Sequence, residues 1–387
     1  MNSRNRIYLD HSATTPADPQ VVEAMMPYFN QCFGNASSIH AFGQDAKVAL
    51  EESRRQIARL LDAEPSEIVF TSGGTEADNW AIRGGSAHYD HRRKHIITSK
   101  VEHHAVLHTC QVLAKEGFEV TYLKTDKTGA TNPEDVSRAL REDTCLVSLI
   151  HGNNEIGTLN EISEIGKITR ERGVLFHTDA VQSAGKIPVD VKSLNVDLLS
   201  LSAHKIYGPK GIGALYIRRG IRLAKLLEGG KHERDRRAGT ENVPAAVGFG
   251  KAAQLCSERM TGDSARISEL RALLRKGIEE RLDGVYLNGS SSHFLPGILN
   301  MSFEGVESDS LLLSLDLEGV AVSNGSACTS GSVEPSHVLE AIGRPKELAR
   351  SALRFSLGRQ NTLAEVQQTL GIVEQVVKRL RRLKKRF

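Results

Sequence analysis

No apolar run in this 387-residue chain approaches the ~20 residues that span a bilayer, so a helical membrane protein is excluded. The opening MNSRNRIYLDHSATTP lacks the apolar stretch of a secretory signal, and a cytoplasmic location is expected. Cysteine is scarce. Its five positions (Cys32, Cys110, Cys145, Cys256 and Cys328) are odd in number, widely spaced and without a C-x-x-C pair. That pattern argues against a disulfide framework and against a zinc ribbon. No metal site is expected from histidine either. His88, His91 and His95 lie close together, but Arg92, Arg93 and Lys94 among them oppose a metal ion, and the stretch reads as a solvated loop. A strong charge of one sign is also missing. The net charge is +3, yet seven of the last ten residues are Lys or Arg, and the rest of the chain holds 43 basic against 47 acidic residues. A broad nucleic-acid-binding surface is not expected on so mildly acidic a body. The basic tail reads as a solvated helix end facing its own C-terminal dipole.

What is present is an ordinary globular composition, 40% hydrophobic and 25% charged, with no internal repeat and no low-complexity linker. A chain of this length exceeds what one hydrophobic core usually serves, so two domains are expected. From 67 to 218, short β-rich runs alternate with helical stretches: EIVFTSG, HIITSK, FEVTYLKT, TCLVSLIHG, VLFHTDA, VDLLSLSA and GIGALYIR. Their spacing predicts an α/β domain with a mainly parallel seven-stranded sheet, in which the closely joined last two runs pair antiparallel. After 257 the pattern changes to a helix over 264–282, further short runs, and a helical stripe at 363, 366, 370, 373, 377 and 380. We expect a large domain over 14–257 and a smaller α/β domain formed by 1–13 with 258–387.

Several of the early runs end in polar residues, and ligands of open α/β sheets bind beyond the carboxyl ends of the strands. TSGGTEADN (71–79) leads from a strand through glycines into a helix whose free N–H groups suit a phosphate, with Thr75 adding a hydroxyl. By itself it reads equally well as a capped turn. Lys205, in SLSAHKIYGPKG, follows a strand that should be buried; a lysine there loses its proton readily enough to form an imine. Alone it reads better as a strand-end lysine facing solvent. Asp179 in FHTDAVQS changes that balance. Pyridoxal phosphate needs a carboxylate at its pyridine nitrogen, a lysine for its aldehyde and donors for its phosphate, and three strand ends of one sheet supply all three. Asn153 and Gln182 are placed to meet the ring oxygen, and His103 to stack on the ring. Cys328 lies in the Gly- and Ser-rich SNGSACTSG, where an exposed, nucleophilic thiol is expected, whereas Cys145 sits in an apolar run. S-x-x-K at 202–205 and K-T-G at 127–129 fit serine acyltransferase marks, but in the wrong order.

These segments together resemble the cysteine desulfurases of the NifS/IscS type, in the class V aminotransferase group of fold-type I pyridoxal-phosphate enzymes. The matching stretches include YLDHSATTP, EHHAV, HGNNEIG, HTDAVQS, SAHKIYGPKG, RRAGTENV, NGSACTSGSVEPSHVL and LRFSLGR, and they span nearly the whole chain in the family's order. The resemblance implies that Lys205 carries the cofactor, Asp179 pairs with its pyridine nitrogen, His103 stacks on it, and Gln182 and Asn153 contact the ring. It implies that Gly74, Thr75, Ser202 and His204 hold the phosphate, with Thr240 supplied by the second subunit of a homodimer. Arg354, assisted by Asn153, would bind the carboxylate of L-cysteine, and Cys328 would keep its sulfur as a persulfide while alanine leaves. The acceptor would be an iron–sulfur scaffold or another sulfur-receiving protein, including one that serves tRNA thiolation. A selenocysteine lyase or another class V enzyme is the alternative. The cysteine segment resembles the longer form of the NifS/IscS group and not the short R-x-G-H-x-C form.

Overall fold

A computed structural model describes residues 6–87, 93–324 and 335–384. Strand β1 (Ile7–Tyr8) precedes a run of seven: β2 (Ile68–Thr71), β3 (His95–Ser99), β4 (Glu119–Leu123), β5 (Thr144–Ile150), β6 (Leu175–Asp179), β7 (Leu198–Ser202) and β8 (Gly213–Ile217). The seven form one sheet in the order β2-β8-β7-β6-β5-β3-β4. From β4 to β7 every pair is parallel, and β8 is antiparallel to both β7 and β2. Residues 203–212, which join β7 to β8, are too few for a helical crossover, so the chain must turn back. This is the mainly parallel seven-stranded α/β sheet expected of fold-type I.

Strands β5, β6 and β7 are buried along their whole lengths, as a sheet covered on both faces requires. One face packs Phe70, Phe176, Leu199 and Phe249; the other packs Trp80, Leu146, Leu175, Leu198 and Leu215. Polar residues inside these strands find one another. His177 Nδ1 lies 2.8 Å from Ser148 Oγ and its Nε2 lies 2.9 Å from Ser200 Oγ, a bridge across three strands. His95 does the same at the sheet's other side, with Thr144 Oγ1 and Thr121 Oγ1 each 2.8 Å from its ring nitrogens. It is therefore buried in β3 and not part of a solvated loop; His88 and His91 fall outside the described residues.

The remainder is built on β9 (Val285–Asn288), β10 (Ile298–Phe303), β11 (Val320–Ala321) and β12 (Ala352–Ser356). An antiparallel sheet β12-β10-β9 and a parallel pair β1-β11 share a core of Leu9, Leu274, Met301, Leu353, Phe355 and Val373. The helix expected over 264–282 is the second half of a 39-residue helix, Val243–Arg281. Its first half carries Phe249 and Cys256 into the large core, and its second half carries Leu270, Leu274 and Ile278 into the small one. Gly250 allows the helix Ala41–Leu60 to lie close by, since a Cβ there would come within 2.6 Å of Ser53 Cα. We propose the division at 257/258 with this helix, not a linker, as the connection. The final helix, Leu363–Lys384, buries Val366, Leu370, Val373 and Val377, while Leu363 at its start is half exposed. No helix among the described residues is long and apolar enough to cross a membrane.

One buried ion pair fastens the loop that precedes the long helix. Arg54 donates from Nη1 and Nη2 to the two carboxylate oxygens of Glu233, at 2.7 and 2.8 Å, and the Phe70 N–H donates to Glu233 at 2.8 Å. Glu233, Arg234 and Asp235 all hold positive φ angles, a left-handed turn that non-glycine residues adopt only under constraint. Glu233→Gln removes the two-point partner and leaves the buried Arg54 with only the partly exposed Glu51, 3.1 Å from its Nε, as counter-ion, and the expected loss is about 3 kcal/mol of stability. Urea unfolding of this variant and of the double variant Arg54→Met/Glu233→Met checks it: the double variant should recover part of the loss.

Candidate active site

At the carboxyl ends of β5, β6 and β7 a cavity of about 500 Å³ opens between the large sheet and the small core. Its walls include Gly74, Thr75, His103, Asp179, Gln182, Ser202, His204 and Lys205 from the large part, and Arg354 from β12. Nine of the twelve residues singled out from sequence therefore meet in one place.

The elements explain the meeting. Asp179 is the last residue of β6 and Ser202 the last of β7, paired parallel neighbours, and Lys205 closes the short turn after β7. Lys205 Nζ donates to the carbonyls of Ser12 at 2.5 Å and Ala13 at 2.8 Å. Burial first, then the Arg354 cation, lowers its pKa to about 8, so the amine yields its proton near neutral pH. Asp179 accepts from the Val181 N–H at 2.9 Å. Burial raises its pKa, and burial together with the nearby Asp179 carboxylate raises that of Asp78 further. A positive charge placed between these two acids would be strongly held.

The helix Gly74–Ser86 begins at the cavity, and first-turn N–H groups have no partner within a helix. Gly74 is needed there: a Cβ would lie 2.7 Å from Val181 Cγ2. With Ser202 and His204 this end offers donors to an anion. His103 caps the helix His104–Lys115, its Nδ1 accepting from the Ala105 N–H at 3.2 Å, which leaves the ring proton on Nε2. The ring is open to the cavity, yet protein surrounds it closely enough that burial, then Lys205, holds its pKa down at about 4. Arg354 is buried, donating from Nη2 to Asp10 Oδ1 at 2.7 Å and from Nη1 to the Asn154 carbonyl at 3.0 Å.

Three expected residues are not in this group. Asn153 is buried beside the cavity with its amide committed elsewhere: Nδ2 donates to the Val101 carbonyl and Oδ1 accepts from Glu155 and Ile156 N–H groups. It is the next residue, Asn154, that lines the cavity. Thr240 is exposed and lines a separate cavity of about 250 Å³ with Ser72, Arg237 and Glu241. Cys328 lies outside the described residues. The segments flanking it reach the site: Ser323 and Asn324 line the cavity, and Ser336 Oγ donates to Glu155 at 2.5 Å. Burial drives the thiols of Cys110 and Cys145 up, to about 12 and about 11, and raises that of Cys256, so these three are not nucleophiles near neutral pH.

Sequence reasoning missed Asp10, Ser12, Asp78 and Asn154, all of which line the cavity. Asp78 had a signal, since it stands four residues after Gly74 and hence on the same helical face. Three buried atoms of this wall have no hydrogen-bond partner: Asp78 Oδ1, Ser12 Oγ and Arg354 Nε. Unpaired polar atoms in an enclosed site are what a polar ligand would satisfy. An anion cradle, an amine of lowered pKa and a buried carboxylate pair fit pyridoxal phosphate, and the volume suits it.

A family model for class V aminotransferases matches residues 7–369. The chain belongs to the class V aminotransferase family. This family works with pyridoxal phosphate. The chain is 52% identical over 378 residues to the cysteine desulfurase IscS of Dictyoglomus turgidum, covering 98% of this chain and 96% of that one. Among solved structures, a NifS-like protein superposes with a TM-score of 0.91 at 36% identity, covering 96% and 99% of the two chains. An SspA in complex with cysteine matches with a TM-score of 0.82 at 38% identity, covering 92% of this chain and all of that one.

Beneath the class V site lies a further acid. Glu102 is buried, with Ser99 Oγ donating to Oε1 at 2.5 Å and Oε2 unpaired. Burial pushes its pKa up to about 8. Over the window from 4.5 to about 8 the folded chain keeps a proton that the unfolded chain has lost, so this group's contribution to stability falls as pH rises through it. Glu102→Gln, which cannot ionise, should flatten the decline in unfolding midpoint between pH 5 and pH 8, as read by thermal melts across that range.

Proposed function

We propose that this protein is a pyridoxal-phosphate-dependent cysteine desulfurase. In this reading it works in the cytoplasm as a homodimer, takes sulfur from L-cysteine, releases L-alanine and leaves a persulfide on Cys328. An iron–sulfur scaffold or another acceptor protein then receives the sulfur. The observation that carries the reading is the convergence of Lys205, Asp179, His103, Arg354 and the Gly74–Thr75 helix start in one cavity.

When bound, pyridoxal phosphate supplies an aldehyde for capture of the amino acid and an electron-poor ring that stabilises negative charge at its α-carbon. Asp179 keeps the ring nitrogen protonated. Gly74, Thr75, Ser202 and His204 hold the phosphate, with Thr240 given by the partner subunit, and Gln182 meets the ring oxygen. His103 would cover the ring face, and its neutral imidazole presents the Nε2–H as a hydrogen-bond donor toward the substrate side of the cavity. Lys205, with its lowered pKa, is the base that holds the α-proton at Nζ. Arg354 exchanges its single Asp10 contact for the substrate carboxylate, a planar guanidinium being suited to a two-point grip. Asn153 is kept as the assisting amide, and Asn154 at the cavity wall meets Arg354 through its backbone carbonyl. The Cys328 thiolate attacks the substrate sulfur, an S–S bond forms as the Cβ–S bond breaks, and the carbon keeps the electron pair and takes a proton to give alanine.

The purified protein should be yellow, release alanine from L-cysteine and carry one extra sulfur on Cys328 by mass. Cys328→Ser should keep the colour and fall to background turnover without a persulfide, while Lys205→Ala should lose the borohydride-sensitive absorbance. Full turnover by Cys328→Ser would refute the assignment, and alanine formed from selenocysteine alone would move it to a selenocysteine lyase.

A further inference from the structure

Lys186 is a largely buried lysine that takes no part in the chemistry above and does not line the cavity. Its Nζ donates to Gln182 Oε1 at 2.8 Å. Its charged neighbours Lys205 and Arg354 are cations; among the described residues no carboxylate forms an ion pair with it. A lysine so enclosed without an acid is rare, because burying its charge is costly. The turn that carries it is tightly specified. Gly185 has φ +73°, and a Cβ there would lie 2.9 Å from Ile206 Cγ2 and 3.0 Å from Cys256 Sγ. The Lys186 N–H donates to the Ser183 carbonyl at 3.0 Å, and Ser264 Oγ donates to the Lys186 carbonyl.

What this placement controls is the Gln182 amide. Nε2 of Gln182 donates to the Ser12 carbonyl at 2.8 Å, the same carbonyl that receives Lys205 Nζ. An amide has a donor end and an acceptor end of nearly equal shape and can turn over unless its surroundings choose. In its ammonium form Lys186 has donors only and can face only Oε1; burial, then the Lys205 cation, lowers its pKa to about 7, so this selection is firmest on the acid side of neutrality. We propose that Lys186 is a positioning residue of the cofactor site, fixing the Gln182 amide with Oε1 turned outward to Lys186 and Nε2 turned inward to Ser12 and the cavity. Resting on the reading above, this gives Gln182 a definite role: it presents a donor, never an acceptor, to the acceptor oxygen on the cofactor ring. Without Lys186 only the Ser12 carbonyl, itself acceptor-only, selects that face, and Gln182 Oε1 is left without its donor, so the amide is held by one hydrogen bond instead of two.

The test is titration of the apoprotein with pyridoxal phosphate, read by visible absorbance, for wild type, Lys186→Met, Lys186→Arg, Gln182→Ala and Lys186→Met/Gln182→Ala. Lys186→Met should weaken binding about tenfold, the size of one buried hydrogen bond, and shift the visible band. Lys186→Arg, which keeps a donor, should stay near wild type in both. The double variant should bind no more weakly than Gln182→Ala, because Lys186 acts only through that amide. Wild-type affinity and spectrum in Lys186→Met, or additive losses in the double variant, would overturn the proposal. Should Lys186→Met fail to fold, Lys186→Arg decides: a lost or shifted band there overturns it as well. Failure of wild type to take up pyridoxal phosphate would instead sink the functional reading beneath it.

Discussion

The arrangement that the rest of the molecule depends on is a single backbone carbonyl, that of Ser12. It receives Lys205 Nζ at 2.5 Å and Gln182 Nε2 at 2.8 Å, and so ties the N-terminal segment to two strand ends of the large sheet. The segment is held on its other side by the small core, since β1 pairs with β11 and the Ser12 N–H donates to Ser356 Oγ at 2.9 Å. Two cores of separate composition are thus joined across the cavity by one strand of chain. That joint brings a lysine amine near carbonyl dipoles and not near a carboxylate ion pair. Carbonyls accept from either protonation state of the amine, whereas a close carboxylate would fix it as the cation.

Much of this was legible in the sequence because the sheet is legible. Each of the seven β-rich runs became a strand, and residues written at the ends of parallel strands arrive on one edge by topology alone. Asp179 and Lys205 are an example: 26 positions apart in the chain, they follow adjacent parallel strands. Less was legible within loops. Asn153 and Asn154 are adjacent amides in HGNNEIG, and a motif does not say which of them turns inward. In the loop Asn153 Oδ1 accepts from the N–H groups of Glu155 and Ile156, while Asn154 lines the cavity with its backbone carbonyl accepting from Arg354 Nη1. His95 failed for a different reason. Its cationic neighbours in sequence suggested solvent, but two threonines on the flanking strands satisfy both ring nitrogens, and these are visible only once β4 and β5 are paired with β3.

The site also concentrates groups whose ordinary charges are suppressed. Glu102, Asp78 and Asp179 are pushed toward the neutral acid, and His103, His204 and Lys205 toward the neutral base. Burial heads the causes in each case. Beside the one Arg354–Asp10 ion pair, such neutral acids and bases suit a charged cofactor, which would restore charge to the groups that face it. Perturbed titration of several groups around one cavity is the usual mark of a functional site, and here it coincides with the unpaired atoms of Asp78, Ser12 and Arg354.

Arg354 shows why the two cores must be docked for the site to exist. Its strand belongs to the small core, its Nη1 donates to a carbonyl of the large part, and its Nη2 donates to Asp10 on the joining segment. Each contact draws on a different piece of the chain, so no single piece can hold the guanidinium in place. The long helix Val243–Arg281 makes this docking rigid, because one unbroken element is buried in both cores and a change of angle between them would strain it along its length. Precision at the cavity therefore comes from a helix that does not touch it. Ser323, Asn324 and Ser336, which bracket Cys328 in sequence, take their positions from the same frame, through the Ser323–Arg354 backbone pairing and the Ser336–Glu155 bond. The described residues on either side of Cys328 are thus anchored by the same docking that sets Arg354.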